Sequence, residues 1–290
     1  VDNLTGDTGA DVLIGNDNND ILDGANGSDN LSGGSGDDDL NGGNGSDTLT
    51  GGADNDTFRV TGGSDTITDL SSGDILIVSG GTATANGVSN FNATSSTTSS
   101  GTVIINAADG GAVVNMNLSA SGSYSIVGGS GDDSITGGSG NDVITGGLGD
   151  DTLDGGGGTN TLSYSTAPSG VTIDLSNALS QNTISQGNDT ISNFLYLVGS
   201  SFGDNLTGDA NANTITGGDG DDTITGGGGT DIINGGKGVD TINGTSSVET
   251  LNGDNGDDII TSGGGGDTIT GGKGADRIDL SASTSVVDTI

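Results

Sequence analysis

The sequence predicts an all-β protein in which short parallel strands coil into blocks of β-solenoid. The first observation is a unit of nine residues that repeats through most of the chain. The second is composition: 61 of 290 residues are Gly, 28% are hydrophobic and 2% are aromatic. So few apolar residues cannot fill a large conventional core. They suffice for a narrow solenoid whose stacked repeats bury one layer of side chains.

The repeat is clearest between Gly6 and Arg59, where consecutive units share one pattern. These units are GDTGADVLI, GNDNNDILD, GANGSDNLS, GGSGDDDLN, GGNGSDTLT and GGADNDTFR. Position six is always Asp, and position eight is always a large apolar residue. The apolar residues are Leu13, Leu22, Leu31, Leu40, Leu49 and Phe58. Such a strict register is not a consequence of composition.

The pattern G-G-x-G-x-D-x-U-x, in which U is apolar, resembles the nonapeptide of the RTX (hemolysin-type) calcium-binding repeat family. The resemblance implies right-handed parallel β-rolls with calcium-filled turns. Two nonapeptides form one coil, so Asp residues 18 apart lie above one another along one edge. The residues agree with this fold. A short x-U-x segment suits a strand with one inward side chain, and the glycine half suits a tight turn that needs positive φ.

The repeat and its interruptions divide the chain into segments. Residues 1–78 are predicted to form a first β-roll with capping strands, because Asp65 and Asp74 stay in register while the glycines thin out after Arg59. Residues 79–127 lose the repeat and are rich in Ser, Thr, Ala and Asn. This composition predicts either a β insertion or further coils that are poor in metal.

A second β-roll is predicted over residues 128–163, where Asn160 takes position six of the last unit. Asn keeps an oxygen ligand but loses the charge, so a weaker site is expected there. Residues 164–198 are predicted to be a β-rich spacer, since Val171 and Ile173 alternate with polar residues. The segment resembles the spacers between repeat blocks in large RTX surface proteins.

The third predicted β-roll, residues 199–290, has two unequal edges. One edge carries at position six Asp204, Asp222, Asp240, Asp258 and Asp276. The other carries Asn213, Asp231, Glu249 and Asp267. The unit that contains Glu249, GTSSVETLN, also lacks the second and fourth glycines. We therefore expect calcium to occupy all the turns along the first edge and only some of the turns along the second.

The predicted metal ligands are the Asp side chains at position six together with backbone carbonyl oxygens of the turns. Such hard oxygen donors suit Ca²⁺. The side chains are Asp11, Asp20, Asp29, Asp38, Asp47, Asp56, Asp133, Asp142, Asp151, Asp204, Asp222, Asp231, Asp240, Asp258, Asp267 and Asp276. Roughly a dozen or more Ca²⁺ ions, each shared between neighbouring turns, would cancel most of the charge.

The net charge is −36, from 40 acidic and 4 basic residues. A disordered acidic chain is the alternative interpretation, because high charge and low hydrophobicity oppose folding. The regular nine-residue spacing of Asp argues against this alternative, because disorder does not require Asp in register. Without calcium we nevertheless favour a disordered chain, since stacked carboxylates repel one another. Such an acidic surface also makes nucleic acid an unfavourable partner.

Several functional classes are disfavoured by what the sequence lacks. Without Cys or His it has no zinc site of the usual kind, no thiol catalysis and no histidine acid–base chemistry. The glycine turns are not followed by GK[ST], and no HExxH or GxSxG segment occurs. Acid pairs such as Asp37 and Asp38 recur with the repeat, so a ligand role explains them better than glycosidase catalysis. We expect that the chain is not an enzyme.

Two functions are compatible with this scaffold. The favoured one is a calcium-dependent extracellular structural protein: a surface-layer, adhesin or fibre segment on a bacterial cell surface. The alternative is the calcium-folding repeat region of an exported protease, lipase, epimerase or toxin. The resemblance implies type I secretion and folding in external calcium. Expected partners are calcium and further copies of the chain, with cell-surface polysaccharide as another candidate.

The ends of the sequence also carry an expectation. No apolar run is long enough to cross a bilayer, and no signal peptide begins the chain. It opens in mid-repeat, with Asp2 and Leu4 already in register. We therefore expect a piece, or a processed form, of a longer protein.

Overall fold

The computed structural model describes residues 1–118, 122–184 and 186–280, and all regular secondary structure in these ranges is β-strand. No helix that could cross a membrane occurs among the described residues. The chain divides into two compact units, Val1–Ile144 with Asp154–Gly158, and Thr145–Leu153 with Thr159–Ile290. Each unit is a parallel β-solenoid, which confirms the predicted all-β fold class.

The first unit begins with short strands that recur along the chain. In order they are β1 (Asn3–Thr5), β2 (Val12–Asp17), β3 (Ile21–Asp23), β4 (Asn26–Gly27), β5 (Asn30–Ser35), β6 (Asp39–Asn41), β7 (Asn44–Gly45), β8 (Thr48–Ala53), β9 (Thr57–Val60), β10 (Ser64–Ile67), β11 (Ile75–Val78), β12 (Thr82–Val88), β13 (Asn90–Asn92), β14 (Thr98–Ser99), β15 (Thr102–Ala107), β16 (Val113–Asn115), β17 (Tyr124–Val127) and β18 (Ser134–Thr136). Two strands cross the sequence limits of the units, β19 (Val143–Thr145) and β20 (Thr152–Asp154).

The second unit continues in the same style. Its strands are β21 (Thr161–Ser163), β22 (Thr172–Asp174), β23 (Gln181–Asn182), β24 (Asn188–Ser192), β25 (Tyr196–Val198), β26 (Asn205–Thr207), β27 (Thr214–Asp219), β28 (Thr223–Thr225), β29 (Ile232–Lys237), β30 (Thr241–Asn243), β31 (Thr250–Asn255), β32 (Ile259–Thr261), β33 (Thr268–Lys273) and β34 (Arg277–Asp279).

Successive nonapeptides alternate between two sheets in each unit. In the first unit one sheet follows the order β1-β3-β6-β9-β11-β14, and the other contains β2-β5-β8-β10-β12-β15-β17. In the second unit the orders are β22-β26-β28-β30-β32-β34 and β21-β25-β27-β29-β31-β33. These neighbours pair in parallel, whereas β23 and β24 form an antiparallel pair. Two nonapeptides therefore make one coil, as predicted.

The apolar residues at position eight form the core because the 18-residue register stacks them. Leu22 pairs with Leu40, and Leu40 with Phe58, while Leu31 pairs with Leu49 in the other sheet. All of these side chains are fully buried. Burial of one such side chain stabilises the fold by about 1.5–3 kcal/mol, so the ladder holds the coils together with few apolar residues.

Strands β12 to β17, which lie within residues 79–118 and 122–127, continue the stack of the first unit with longer coils. Thr82 pairs with Thr102, which is 20 residues later, and Val103 pairs with Tyr124, which is 21 residues later. Ala83, Val103 and Tyr124 are buried. The core ladder therefore persists through coils that are longer than 18 residues.

Residues 164–198 form one enlarged coil of the second unit. Thr161 of β21 pairs with Tyr196 of β25, 35 residues later, so β22 and the β23–β24 hairpin lie within that coil. Tyr164, Ile191 and Phe194 are buried. The described part of the segment therefore contains strands and carries its own buried apolar residues.

Candidate metal centre

The Asp at position six ends each glycine turn, one residue before a strand, and its side chain is directed inward. Fourteen of the predicted ligands are at most 4% exposed: Asp20, Asp29, Asp38, Asp47, Asp56, Asp133, Asp142, Asp151, Asp204, Asp222, Asp231, Asp240, Asp258 and Asp267. The two others, Asp11 and Asp276, are partly exposed. Carboxylates this buried require a partner of positive character.

One carboxylate oxygen of each Asp ties consecutive coils together. The backbone N–H of Asp20 donates to Oδ1 of Asp38 at 2.7 Å, and that of Asp38 donates to Oδ1 of Asp56 at 2.9 Å. In the second unit the N–H of Asp222 donates to Oδ1 of Asp240 at 2.9 Å. The Asp residues that lie 18 apart thus form hydrogen-bonded ladders along the edges, which uses Oδ1 and leaves Oδ2 for another role.

The second oxygen, Oδ2, is buried without a hydrogen-bond partner in nine of these ladder residues. They are Asp20, Asp29, Asp38, Asp47, Asp65, Asp222, Asp231, Asp240 and Asp258. An unsatisfied buried oxygen normally costs about 1–3 kcal/mol, and more where it is charged. Its repetition at equivalent positions indicates that these oxygens serve a ligand and are not isolated packing defects.

Burial changes the acidity of the same groups. It raises the pKa of Asp56, Asp65 and Asp222 to about 7, and that of Asp240 to about 6. Neighbouring carboxylates of the ladder raise these pKa values further, whereas the backbone hydrogen bond opposes the shift. The charged form is therefore disfavoured until a cation compensates it.

The first glycine of each unit provides the space that these oxygens face. A Cβ on Gly15 would stand 2.5 Å from Oδ2 of Asp20 and 2.6 Å from the carbonyl oxygen of Gly33 in the next coil. A Cβ on Gly217 would likewise stand 2.1 Å from Oδ2 of Asp222 and 2.6 Å from an equivalent carbonyl. A carboxylate oxygen and a carbonyl oxygen from consecutive coils thus converge beside a residue without a side chain.

Two further glycines give the turn its path. In the unit that starts at Gly33, Gly34 has φ 119° and Gly36 has φ 118°, a region that favours glycine. A Cβ on Gly34 would also lie 2.0 Å from the carbonyl oxygen of Asn16, one coil earlier. The turns therefore stack so closely that carbonyl oxygens of one coil are directed at the backbone of the next.

The donor set fits Ca²⁺. Calcium takes about six to eight hard oxygen ligands, including carboxylates and backbone carbonyls. Among the described residues no three acidic side chains form a metal-binding cluster. A site here would therefore take most ligands from turn carbonyls and one or two from Asp side chains.

Three acidic residues outside the predicted set occupy the same ladders. Asp65 and Asp74 accept, at Oδ1, the backbone N–H groups of Asp47 and Asp56. Asp189, inside the spacer, accepts the N–H of Asp151 at 3.1 Å. The signal for Asp65 and Asp74 was the nine-residue register, and that for Asp189 was its setting in Gly187-Asn188-Asp189-Thr190-Ile191, which repeats the end of a nonapeptide.

The two edges of the second unit differ in their side-chain ladders. Along one edge the backbone bonds run without interruption from Asp204 to Asp276. On the other edge the carboxylate of Glu249 is bonded within its own turn, where Thr245 Oγ1 donates to it at 2.6 Å. This agrees with the irregular sequence of that unit. Unequal calcium loading of the two edges stays a prediction.

These stacked glycine turns with buried carboxylates define a calcium-binding parallel β-solenoid. The family model of the RTX calcium-binding nonapeptide repeat matches residues 1–31, 32–81, 127–162, 198–233, 207–242 and 243–278, which is more than half of the chain. The chain belongs to this family, whose repeats bind Ca²⁺. Comparison with curated proteins gave no match.

Proposed function

We propose that this chain is an extracellular structural segment of a surface layer, adhesin or fibre that folds on binding calcium after secretion. The supporting observation is that the segments between the repeats also form parallel coils. Strands β12 and β15 and the pair β21 and β25 extend the stacks through residues 79–127 and 164–198. A polypeptide that is scaffold throughout its described length suits a structural role better than a catalytic one.

The folding mechanism rests on the Oδ2 atoms and the turn carbonyls. Bound calcium supplies the positive charge that buried carboxylates need and offsets a net charge of −36. Where calcium is scarce, mutual repulsion and burial of these carboxylates oppose the solenoid. The chain would leave a low-calcium cytosol unfolded, by type I secretion, and fold outside the cell.

End-to-end assembly is part of the proposal. A solenoid has unpaired strand edges at the ends of its stack, and such edges favour the addition of another strand. We propose that copies of the chain pair end to end, and that cell-surface polysaccharide anchors the assembly.

Electron microscopy of the full chain at millimolar calcium tests the structural role. We expect filaments or sheets that disperse in chelator, and particles that remain monomeric would contradict it. The sequence that flanks this chain in its full-length gene tests the same point independently. More repeats there would support a structural segment, whereas an adjoining protease, lipase, epimerase or toxin domain would support the alternative that the chain is a calcium-folding tail.

A further inference from the structure

The turns fall into two classes that their own sequences do not distinguish. Residues 33–38 and 128–133 have the same sequence, GGSGDD. In the first, Oδ2 of Asp38 is buried without a partner. In the second, Oδ2 of Asp133 accepts the N–H of Gly129, within the same turn, at 2.9 Å. We call a turn open when Oδ2 of its Asp has no hydrogen-bond partner, and closed when this oxygen accepts an N–H of the same turn. The same hexapeptide is thus open at Asp38 and closed at Asp133.

Other closed turns show the same bond from the residue at position two. The N–H of Asp7 donates to Oδ2 of Asp11 at 2.8 Å, that of Gly138 to Asp142 at 2.7 Å, and that of Ser200 to Asp204 at 2.6 Å. At Asp204 the hydroxyl of Ser200 adds a bond to Oδ1 at 2.8 Å. In each closed turn the backbone supplies the positive character that an open turn lacks.

What differs between the classes is the preceding coil. At the open Asp38 and Asp240, Oδ1 accepts the N–H of another position-six Asp, 18 residues earlier. At the closed Asp133, Asp142 and Asp204, Oδ1 accepts instead from Ala112, Tyr124 and Val171, none of which is the position-six residue of a nonapeptide. A nonapeptide turn therefore lies beneath each of these two open turns, whereas each of the three closed turns is the first on its edge in a run of repeats.

We propose that calcium binds at the open turns and that the closed turns which start each run are metal-free caps. The open turns end at Asp20, Asp29, Asp38, Asp47, Asp65, Asp222, Asp231, Asp240 and Asp258. The closed turns that start a run after an interruption end at Asp133, Asp142 and Asp204. The preceding coil, and not the hexapeptide itself, decides whether a turn takes an ion.

The chemistry of the two classes supports this division. At an open turn the ion can bind Oδ2 without breaking a hydrogen bond, because this oxygen has no partner. At a closed turn it would first have to displace the amide of position two, which is already an electrostatic partner of the carboxylate. Three of the sixteen predicted ligands, Asp133, Asp142 and Asp204, would then have a structural and not a metal-binding role.

The identical hexapeptides provide a matched pair of variants. Native mass spectrometry of the full chain, 27.7 kDa, counts bound Ca²⁺ in the unsubstituted protein, Asp38→Asn and Asp133→Asn. We expect Asp38→Asn to lose at least one ion and Asp133→Asn to keep the full number. Equal losses in both variants, or a loss confined to Asp133→Asn, would overturn the proposal.

Calcium anomalous diffraction from crystals of the unsubstituted chain keeps the test independent of how the variants fold. We expect a peak within coordination distance of Asp38 Oδ2 and none beside Asp133 Oδ2. Peaks at both would overturn the assignment. Neither measurement depends on assembly, so a failed structural role and a failed site assignment give different results.

Discussion

The hydroxyl of Tyr164 donates a 2.9 Å hydrogen bond to Oδ2 of Asp189 in the enlarged coil of the second unit. Both residues are at most 1% exposed, and Oδ1 of Asp189 accepts the N–H of Asp151. A phenol therefore satisfies the oxygen that is unpartnered in the open glycine turns. Where the nonapeptide is interrupted, a side-chain donor thus occupies the position that we propose for an ion in the open turns.

This pair predicts that Tyr164→Phe destabilises the second unit even when calcium is present. The substitution leaves a buried carboxylate oxygen with one donor fewer, which costs about 1–3 kcal/mol. Urea unfolding in saturating calcium measures the change. Tyr196→Phe is the control, because Tyr196 is 43% exposed, and it should change the stability little. Equal stability of all three proteins would contradict a supporting role for Tyr164.

Removal of calcium should unfold the repeats. The buried carboxylates at Asp29, Asp47 and Asp231 have unpartnered oxygens whose charge the ion compensates. We expect the far-ultraviolet circular dichroism of a β-protein in millimolar calcium, its loss in excess chelator, and its return when calcium is restored. Magnesium at the same concentration is the control for ionic strength. A β-spectrum that persists in chelator would contradict calcium-dependent folding.

Proton competition should weaken calcium binding below neutral pH. Burial raises the pKa of Asp65 and Asp222 to about 7, and calcium needs their deprotonated form. Because these pKa values lie above the value of 3.8 for an unperturbed Asp, calcium-free stability is greatest below about pH 4 and declines as pH rises through about 7. We expect the apparent calcium affinity of each such site in the folded protein, measured by calcium titration, to fall roughly tenfold from pH 8 to pH 6. An affinity that stays constant over this range would contradict the shifts.

The two edges of the second unit should differ in calcium occupancy. The edge from Asp204 to Asp276 has an unbroken backbone ladder, whereas the other contains Asn213 and the internally bonded Glu249. Anomalous scattering at limiting calcium should show fuller occupancy along the first edge. Equal occupancy along both edges would contradict this prediction. The anomalous peak heights of the first unit provide an internal scale for occupancy.

Much of this architecture follows from periodicity alone. Position eight fixes the buried ladder of Leu22, Leu40 and Phe58, and position six fixes the Asp ladders, because both repeat with the length of half a coil. The closure of Asp133 could not be predicted, since Asp38 has the same local sequence and the difference comes from the coil beneath. The hydrogen bond between Asp151 and Asp189 could not be predicted either, because a coil enlarged by a hairpin has no fixed length.

The space beside the first glycine of an open turn gives a direct steric prediction. Gly33 does not have positive φ, so Ala is compatible with its backbone, but a Cβ would stand 2.2 Å from Oδ2 of Asp38 and 2.6 Å from the carbonyl oxygen of Gly51. Gly33→Ala should therefore raise the calcium concentration needed for folding and lower the stability by about 1–3 kcal/mol. Calcium titration and urea unfolding measure these effects. Ser35→Ala is the control, because Ser35 is exposed in the same turn. If Gly33→Ala and Ser35→Ala bind and unfold alike, the oxygens beside Gly33 do not form a calcium site.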